Sequence, residues 1–316
     1  MAVRVNVDNF VRAETDRMFA DLQRDAGGVN ILSHNREPAS VDHQTVIRMN
    51  RDTLYSFAIV DIAAGATITI PDHGDRYVSV MVVNQDHYVN AIHHAPGEHR
   101  LTVEDHGTPY VGVAVRILVD PVDADDLVAV KRLQDRFELA AGSSNPFALP
   151  EYEGASFDRT REALLSLAAD LTAFDRTFGT KDEVDPVRHL IGTAAGWGGL
   201  PTHEATYIGV TPDLPAGTYE LTVRDVPVDG FWSISVYNAS GFFEPHESGV
   251  YAVNSITGVK NDDGSITVRF SDRDTGRPNT IPTPEGWNYL VRLYRPRSEV
   301  LNGTWTFPSI TGAVRG

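Results

Sequence analysis

Two stretches of this chain are written in short runs rich in β-branched and aromatic residues, and such runs leave few choices of fold. Between about Val46 and Leu118 they read TLYSFAIVDI, ATITI, RYVSVMVV, HYVNAI, HRLTV and YVGVAVRILV. Turn-forming residues such as Pro71-Asp72-His73-Gly74 and Pro96-Gly97 bound them. Short strands punctuated by turns are the pattern of an antiparallel sandwich or barrel. The texture returns near the C-terminus in TYELTVRD, FWSISVYN, YAVNSI, SITVRF and NYLVRLYR. In FWSISVYN the residues Trp232, Ile234 and Val236 make an apolar face, while Phe231, Ser233, Ser235 and Tyr237 make the other, because strand side chains alternate. A hydroxyl-bearing strand face flanked by aromatics is expected to line a polar pocket.

Helical spacing fills the rest. Phe10, Val11, Met18, Phe19 and Leu22 recur at helical period, with Gly27-Gly28 as the stop. Residues Asp123 to Ala141 and Asp158 to Phe178 are also expected to be helical. The second carries Leu164, Leu167, Ala168, Leu171, Phe174 and Phe178 on one stripe. The glycine-rich GTAAGWGGLPTHEATY is expected to be a loop. The resulting fold class is mainly β with α: two β-sandwich-like regions joined by a helical segment. Residues 1–120 would form the N-terminal helix and first β-region, 121–205 the helical connector, and 206–316 the second β-region.

Charge and composition exclude several classes of function. The 27 Lys and Arg against 43 Asp and Glu give a formal net charge of −16, which repels phosphate backbones and anionic membrane surfaces. No nucleic-acid or membrane partner is expected. With no cysteine there is no disulfide, thiolate zinc site, iron–sulfur cluster or cysteine nucleophile. The charged N-terminal segment lacks the apolar stretch of a signal peptide, and no window approaches a membrane span, so a cytoplasmic location is the default expectation. The base-rate expectation for assembly is a homodimer.

Several motifs in order carry a family resemblance: MNRDTLYS (Met49 to Ser56), AAGWGGLP (Ala194 to Pro201), DGFWSISVYNASGFFEPHE (Asp229 to Glu247), and GWNYLVRLYRP with NGTWTFP (Gly286 to Pro308). The chain resembles the bacterial family that pairs domain of unknown function 1254, N-terminal, with domain of unknown function 1214, C-terminal. The resemblance runs from about residue 36 onward and implies two β-sandwich-like regions with helical material between them. It implies no chemistry.

Three constellations are candidates for function. Asn50-Arg51-Asp52-Thr53-Leu54-Tyr55-Ser56 packs an amide, a guanidinium, a carboxylate and three hydroxyls into one strand entrance. Arg51 could clamp an anion there, with Asp52 as acid or base and Tyr55 as donor; the structural alternative is a corner whose side chains satisfy loop backbone. The stretch Asp86 to His106 holds five of the eleven histidines. If Ala95-Pro96-Gly97-Glu98 closes a hairpin, His94 and His99 face each other with Glu98 nearby, a loose metal set. It resembles the His-x-His and Glu arrangement of the cupin family, but His93 and His94 are adjacent and so point to opposite strand faces. The third set is C-terminal: Ser233, Ser235, Tyr237 and Asn238, then Glu244 and His246, then Asn279, Trp287, Tyr289, Arg292 and Tyr294, the mixed aromatic and polar composition of a small-molecule pocket.

The expectation is an enzyme acting on a small polar or anionic metabolite in a pocket between the β-regions, by acid–base chemistry. Asp52 with Tyr55 or Tyr88 would move the proton. Asn50, Arg51, Trp232, Ser235, Tyr237, Asn238, Trp287 and Arg292 would bind substrate. A non-catalytic small-molecule binding or accessory protein is the alternative, and a metal-dependent β-barrel enzyme using the hairpin histidines a second. No fingerprint names a cofactor: the GWGGLP loop lacks both the P-loop ending and the dinucleotide spacing.

Overall fold

A computed structural model describes residues 2–44, 47–169, 171, 173–215 and 217–313. The chain is mainly β with α and divides into two compact units: residues 1–36, 54–118 and 128–202 form unit 1, and residues 37–53, 119–127 and 203–316 form unit 2. Val46, where the first β-region was expected to begin, lies outside the described residues. Among the described residues no helix is long and apolar enough to cross a membrane.

Along the first two thirds of the chain the elements are α1 (Phe10–Ala26), β1 (Ser33–His34), β2 (Thr53–Asp61), β3 (Ala66–Ile70), β4 (Val78–Asn84), β5 (Val89–His93), β6 (Gly97–Leu101), α2 (Val103–His106), β7 (Tyr110–Leu118), α3 (Ala124–Gln134), β8 (Glu138–Ala141), α4 (Gly154–Ala168) and α5 (Pro186–Gly196). Unit 1 holds a five-stranded sheet ordered β1-β2-β7-β4-β5 and a three-stranded sheet ordered β6-β3-β8. β4 is buried along its whole length, as its near-continuous Val run demands. α1, α4 and α5 share a core of Phe10, Ala13, Phe157, Leu164, Ile191 and Ala194; full burial of a side chain such as Phe10 contributes about 1.5–3 kcal/mol.

α1 stops where its glycines stand. Gly27 adopts φ 80°, its N–H bonding the Arg24 carbonyl while that of Gly28 reaches Gln23, the paired bonds of a left-handed helix end that favours a residue without Cβ.

Four expectations about elements are corrected. Residues 123–141 are not one helix: α3 ends at Gln134, and Glu138–Ala141, which alternates in exposure, pairs with β3 as β8. α4 ends at Ala168, short of the expected Phe178; of the expected stripe Leu164 is buried, whereas Leu167, still within the helix, and Phe174, beyond it, are exposed. The glycine-rich stretch is helical through Gly196, because Asp185 caps α5 by accepting from the N–H groups of Val187 and Arg188, and Pro186 fits the first turn. Gly192 belongs inside that helix for a packing reason: a Cβ there would collide with Thr177. Finally, β5 and β6 form no hairpin. β5 pairs with β4, whereas β6 pairs with β3, Ile68 opposite His99, so the chain leaves one sheet for another at Pro96-Gly97.

The remaining elements are β9 (Ala205–Val210), β10 (Thr218–Val223), β11 (Trp232–Tyr237), β12 (Ala252–Asn254), β13 (Ile266–Ser271), β14 (Thr280–Pro282), β15 (Asn288–Tyr294), α6 (Ser298–Leu301) and β16 (Thr311–Ala313). In unit 2 they make two four-stranded sheets, β14-β13-β10-β16 and β12-β11-β15-β9. All pairings given are antiparallel except β13 with β14. Between the sheets lies one apolar core built from Tyr219, Leu221, Val268 and Phe270 on one side and Trp232, Ile234, Val291 and Leu293 on the other. The alternation read from FWSISVYN is the one found: Trp232, Ile234 and Val236 face this core.

Candidate functional site

The opposite face of β12-β11-β15-β9 is polar, and it is buried. Register sets Asn254 opposite Ser233 and Ser233 opposite Arg292, so the three side chains lie in one row across the sheet. Two residues along β11 and β15 stand Ser235 and Leu290, then Tyr237 and Asn288. A strap made of residues 37–44 and 47–53, part of the same unit, covers this face. Val41 and Met49 of the strap pack against Tyr237, Phe243 and Leu290. Gln44 clamps Phe243 by reciprocal bonds, its Nε2 donating to the Phe243 carbonyl and its Oε1 accepting from the Phe243 N–H, each at 2.8 Å.

Arg292 is the hub of the face. Its guanidinium is 2% exposed and donates to Ser235 Oγ at 2.8 Å, Tyr237 Oη at 2.7 Å, and the strap carbonyls of Arg48 at 2.8 Å and Met49 at 3.2 Å. Tyr237 in turn donates its hydroxyl proton to the Met49 carbonyl at 2.8 Å. Burial by itself would weaken the charged form of Arg292, but Tyr237, Tyr294 and Asp52 raise the guanidinium above its ordinary value. Burial also raises the Tyr237 phenol, keeping it a neutral donor.

Asp52 ends the strap. Its N–H bonds the Asn50 side chain at 2.8 Å, and Asn50 Nδ2 donates to Tyr294 Oη at 2.9 Å. The carboxylate is 1% exposed. One oxygen, Oδ1, accepts a long 3.4 Å bond from Asn254 Nδ2. The other, Oδ2, is buried with no hydrogen-bond partner, and so is the hydroxyl of Ser233. Buried polar atoms are ordinarily paired, and each exception calls for a reason.

The remaining sequence candidates separate. Arg51 donates to the Ala39 carbonyl and lies over the Tyr251 ring at 5.2 Å; burial lowers it. Trp232 and Trp287 do not line the polar face: strand alternation turns Trp232 into the core, and Trp287 stacks on Phe270 at 5.0 Å. Asn238 organises a turn, its Oδ1 accepting from the N–H groups of Ser240 and Phe242. Tyr55 and Tyr88 belong to unit 1, whereas Asp52 belongs to unit 2. Tyr55 stacks on Phe57 at 5.8 Å, and Tyr88 on His189 at 4.9 Å.

The histidine set is also rearranged. His99 stacks on His93, not His94, with ring centroids 4.2 Å apart, and its Nε2 is bonded to the Ala95 carbonyl. His94 Nδ1 is bonded to the Val78 carbonyl, while Glu98 is exposed on β6 opposite Thr69. Among the described residues no three His, Asp or Glu side chains are placed to hold a metal ion. Burial, then the imidazoles of His99, His106 and His94, push His93 down to about 4.

Sequence reasoning missed Asn254 as a member of the row, although YAVNSI carries the signal: Val253 faces the core, so its neighbour Asn254 faces away. It also missed the group that buried Asp16 and Gln85 make with half-buried Tyr152 in unit 1. Asp16 accepts from Tyr152 Oη at 2.7 Å and from Gln85 Nε2 at 3.2 Å, and burial raises its carboxyl. Nothing local in a helix marks Asp16 as buried.

A chain with this architecture falls among proteins defined by sequence family rather than by activity. Residues 29–103 match the family described as protein of unknown function (DUF1254), and residues 212–298 the family described as protein of unknown function (DUF1214). The chain therefore pairs these two families, in that order. A crystal structure of the VPA0106 protein from Vibrio parahaemolyticus is similar with a TM-score of 0.74 at 18% identity, over 98% of each chain. An uncharacterized protein from Burkholderia cenocepacia is similar with a TM-score of 0.52 at 12% identity, over 95% of this chain and 86% of that one. These likenesses concern fold. No curated protein matches the chain.

Proposed function

We propose that unit 2 binds a small polar molecule carrying a hydrogen-bond donor at the Asn254–Ser233–Arg292 row, and transforms it by acid–base chemistry with Asp52 as the proton carrier. The observation that carries this reading is the buried Asp52 Oδ2 without a hydrogen-bond partner, together with the unpartnered hydroxyl of Ser233, whose register partner Asn254 bonds the other Asp52 oxygen. Leaving such an atom unmatched costs about 1–3 kcal/mol, which a hydroxyl or amine of the guest would recover. A carboxylate that accepts from its ligand is also the group that can take the ligand's proton. Arg292, with both terminal nitrogens committed to Ser235, Tyr237 and two strap carbonyls, would act through its charge on Asp52 and not as the clamp for a substrate anion. Because Asp52 is almost wholly buried, a guest larger than water reaches it only when the strap lifts.

The commitment of Arg292 and Tyr237 to one another and to the strap carbonyls favours a second reading, in which the same row retains a small molecule without turning it over. Incubating the full-length protein with a mixed pool of cellular metabolites and following depletion by mass spectrometry separates the two. Consumption by the wild type, lost in a folded Asp52→Asn variant, supports turnover. Retention of a metabolite without consumption supports the second reading, and neither depletion nor retention overturns both.

A further inference from the structure

The two unpartnered groups on the polar face of unit 2 are held in place by their neighbours. Asp52 is fixed through its main chain: its N–H bonds the Asn50 side chain at 2.8 Å, and its carbonyl accepts from the Val119 N–H at 2.9 Å. Asn254 is fixed through its amide, whose Oδ1 accepts from the N–H groups of Ile256 at 2.9 Å and Thr257 at 2.8 Å. Reversing that amide would set its NH2 against two donors, so Nδ2 is the atom turned to Asp52 Oδ1, and Oδ2 is left as the open acceptor. Ser233 is fully buried in β11, opposite Asn254 on one side and Arg292 on the other. Opposed residues on neighbouring strands have Cβ atoms about 4.5–5.5 Å apart, so through Asn254 the Ser233 hydroxyl and the Asp52 carboxylate stand within the span of one small guest.

We propose that the guest of this site is a neutral compound that meets it through a hydroxyl group, and not an ammonium or a carboxylate. The inference rests on the reading of Asp52 and Ser233 as binding groups given above, and it follows from matching donors, acceptors and charge. A carboxylate oxygen only accepts, whereas a serine hydroxyl donates one proton and also accepts. A guest hydroxyl answers both: its proton goes to Asp52 Oδ2, and its lone pair takes the Ser233 proton. An ammonium carries donors alone and leaves the Ser233 proton without an acceptor. A carboxylate carries acceptors alone and sets its lone pairs against Oδ2. Charge points the same way. Of the charged side chains buried in unit 2 among the described residues, Arg269 stands on the other sheet with Glu220, so this face holds one buried cation, Arg292, and one buried anion, Asp52. Half-buried Arg51, next to Asp52 on the strap, adds a second cation. A cationic guest would be the third beside a single carboxylate, and a buried charge left without a partner is costly. An anionic guest finds both terminal nitrogens of Arg292 already committed to Ser235, Tyr237 and the strap carbonyls.

Titration of the full-length protein with matched probes, followed by amide chemical shifts at neutral pH, tests the assignment. Ethyl, isobutyl and cyclohexyl carriers each bear a hydroxyl, an ammonium or a carboxylate, so that within a set only the head group changes. In at least one set the alcohol is expected to bind about tenfold more tightly than its ammonium and carboxylate counterparts, the scale of one buried hydrogen bond. Ser233→Ala should weaken the alcohol by a similar factor and leave the ammonium unchanged, because only the alcohol accepts the serine proton. An ammonium or carboxylate that binds as tightly as its alcohol, and loses that binding in a folded Asp52→Asn variant, overturns the proposal while leaving Asp52 as a binding group. Binding that is the same in wild type and Asp52→Asn, or no binding by any probe, removes the underlying reading and the proposal with it.

Discussion

The Arg292 guanidinium donates to the Tyr237 hydroxyl at 2.7 Å, and Tyr237 passes its proton to the Met49 carbonyl at 2.8 Å. Through this relay a sheet residue holds the strap that delivers Asp52 to the polar face. Two core strands and a loop segment thus share one charge, and the predictions below follow from how that sharing would fail.

Replacing Arg292 by Met should be among the most damaging substitutions in unit 2. It removes the donor to Ser235, Tyr237 and the Arg48 carbonyl, leaves the Met49 carbonyl with its Tyr237 bond alone, and takes the positive charge from beside Asp52; removing one partner of a buried charged network costs about 3–5 kcal/mol. Urea unfolding measures it. Arg292→Lys should recover only part, since an ammonium lacks the planar fork, and full recovery would show that charge alone matters.

Tyr237→Phe removes only the relay oxygen. The expected loss is about 1–3 kcal/mol, smaller than that of Arg292→Met. Hydrogen exchange should show the effect concentrated in residues 47–53; a uniform effect over the unit would argue against the strap account.

In unit 1, Gly199→Ala drives a Cβ into the Phe178 ring. Overpacking of this kind costs about 1–3 kcal/mol, and the companion Phe178→Leu change should relieve it in a double-mutant cycle. Additive effects would place the strain elsewhere.

The His93 site makes stability fall with acid. Its folded-state value is pushed down to about 4 from an unfolded value of about 6.5, so above 6.5 both states are neutral and the full contribution is present. As pH drops from about 6.5 to 4, the unfolded chain takes up a proton that the folded chain refuses, and stability declines. His93→Gln should flatten the urea midpoint across that window relative to wild type. Equal slopes for the two proteins would remove His93 from the account.

How much of this was legible beforehand depends on the range of the interactions involved. The end of α1 at Gly27 could be read because a helix stop is local, and the two faces of β11 because alternation needs only the strand itself. The partner of β6 could not: whether His99 sits beside His94 or opposite Ile68 is decided by which sheet receives the strand, a contact more than thirty residues away in sequence. The same limit explains β8, whose four residues gain strand character only by pairing with β3. At the site, Asp52, Asn50 and Arg292 stood out as polar residues in strand contexts. Their grouping depended on the strap crossing the sheet, and the vacant hydrogen-bonding capacity of Asp52 and Ser233 is a property of packing that no spacing encodes.

The central claim is that Asp52 Oδ2 and Ser233 await a donor-bearing guest. The most direct test is thermal denaturation of wild type and Asp52→Asn against a panel of small alcohols, amines, hydroxy acids and amino acids. A ligand at 100 times its dissociation constant stabilises by about 2.7 kcal/mol. The account predicts that at least one donor-bearing compound raises the wild-type midpoint and leaves that of a folded Asp52→Asn protein unchanged. A ligand that stabilises both proteins equally, or a panel that stabilises neither, would contradict it.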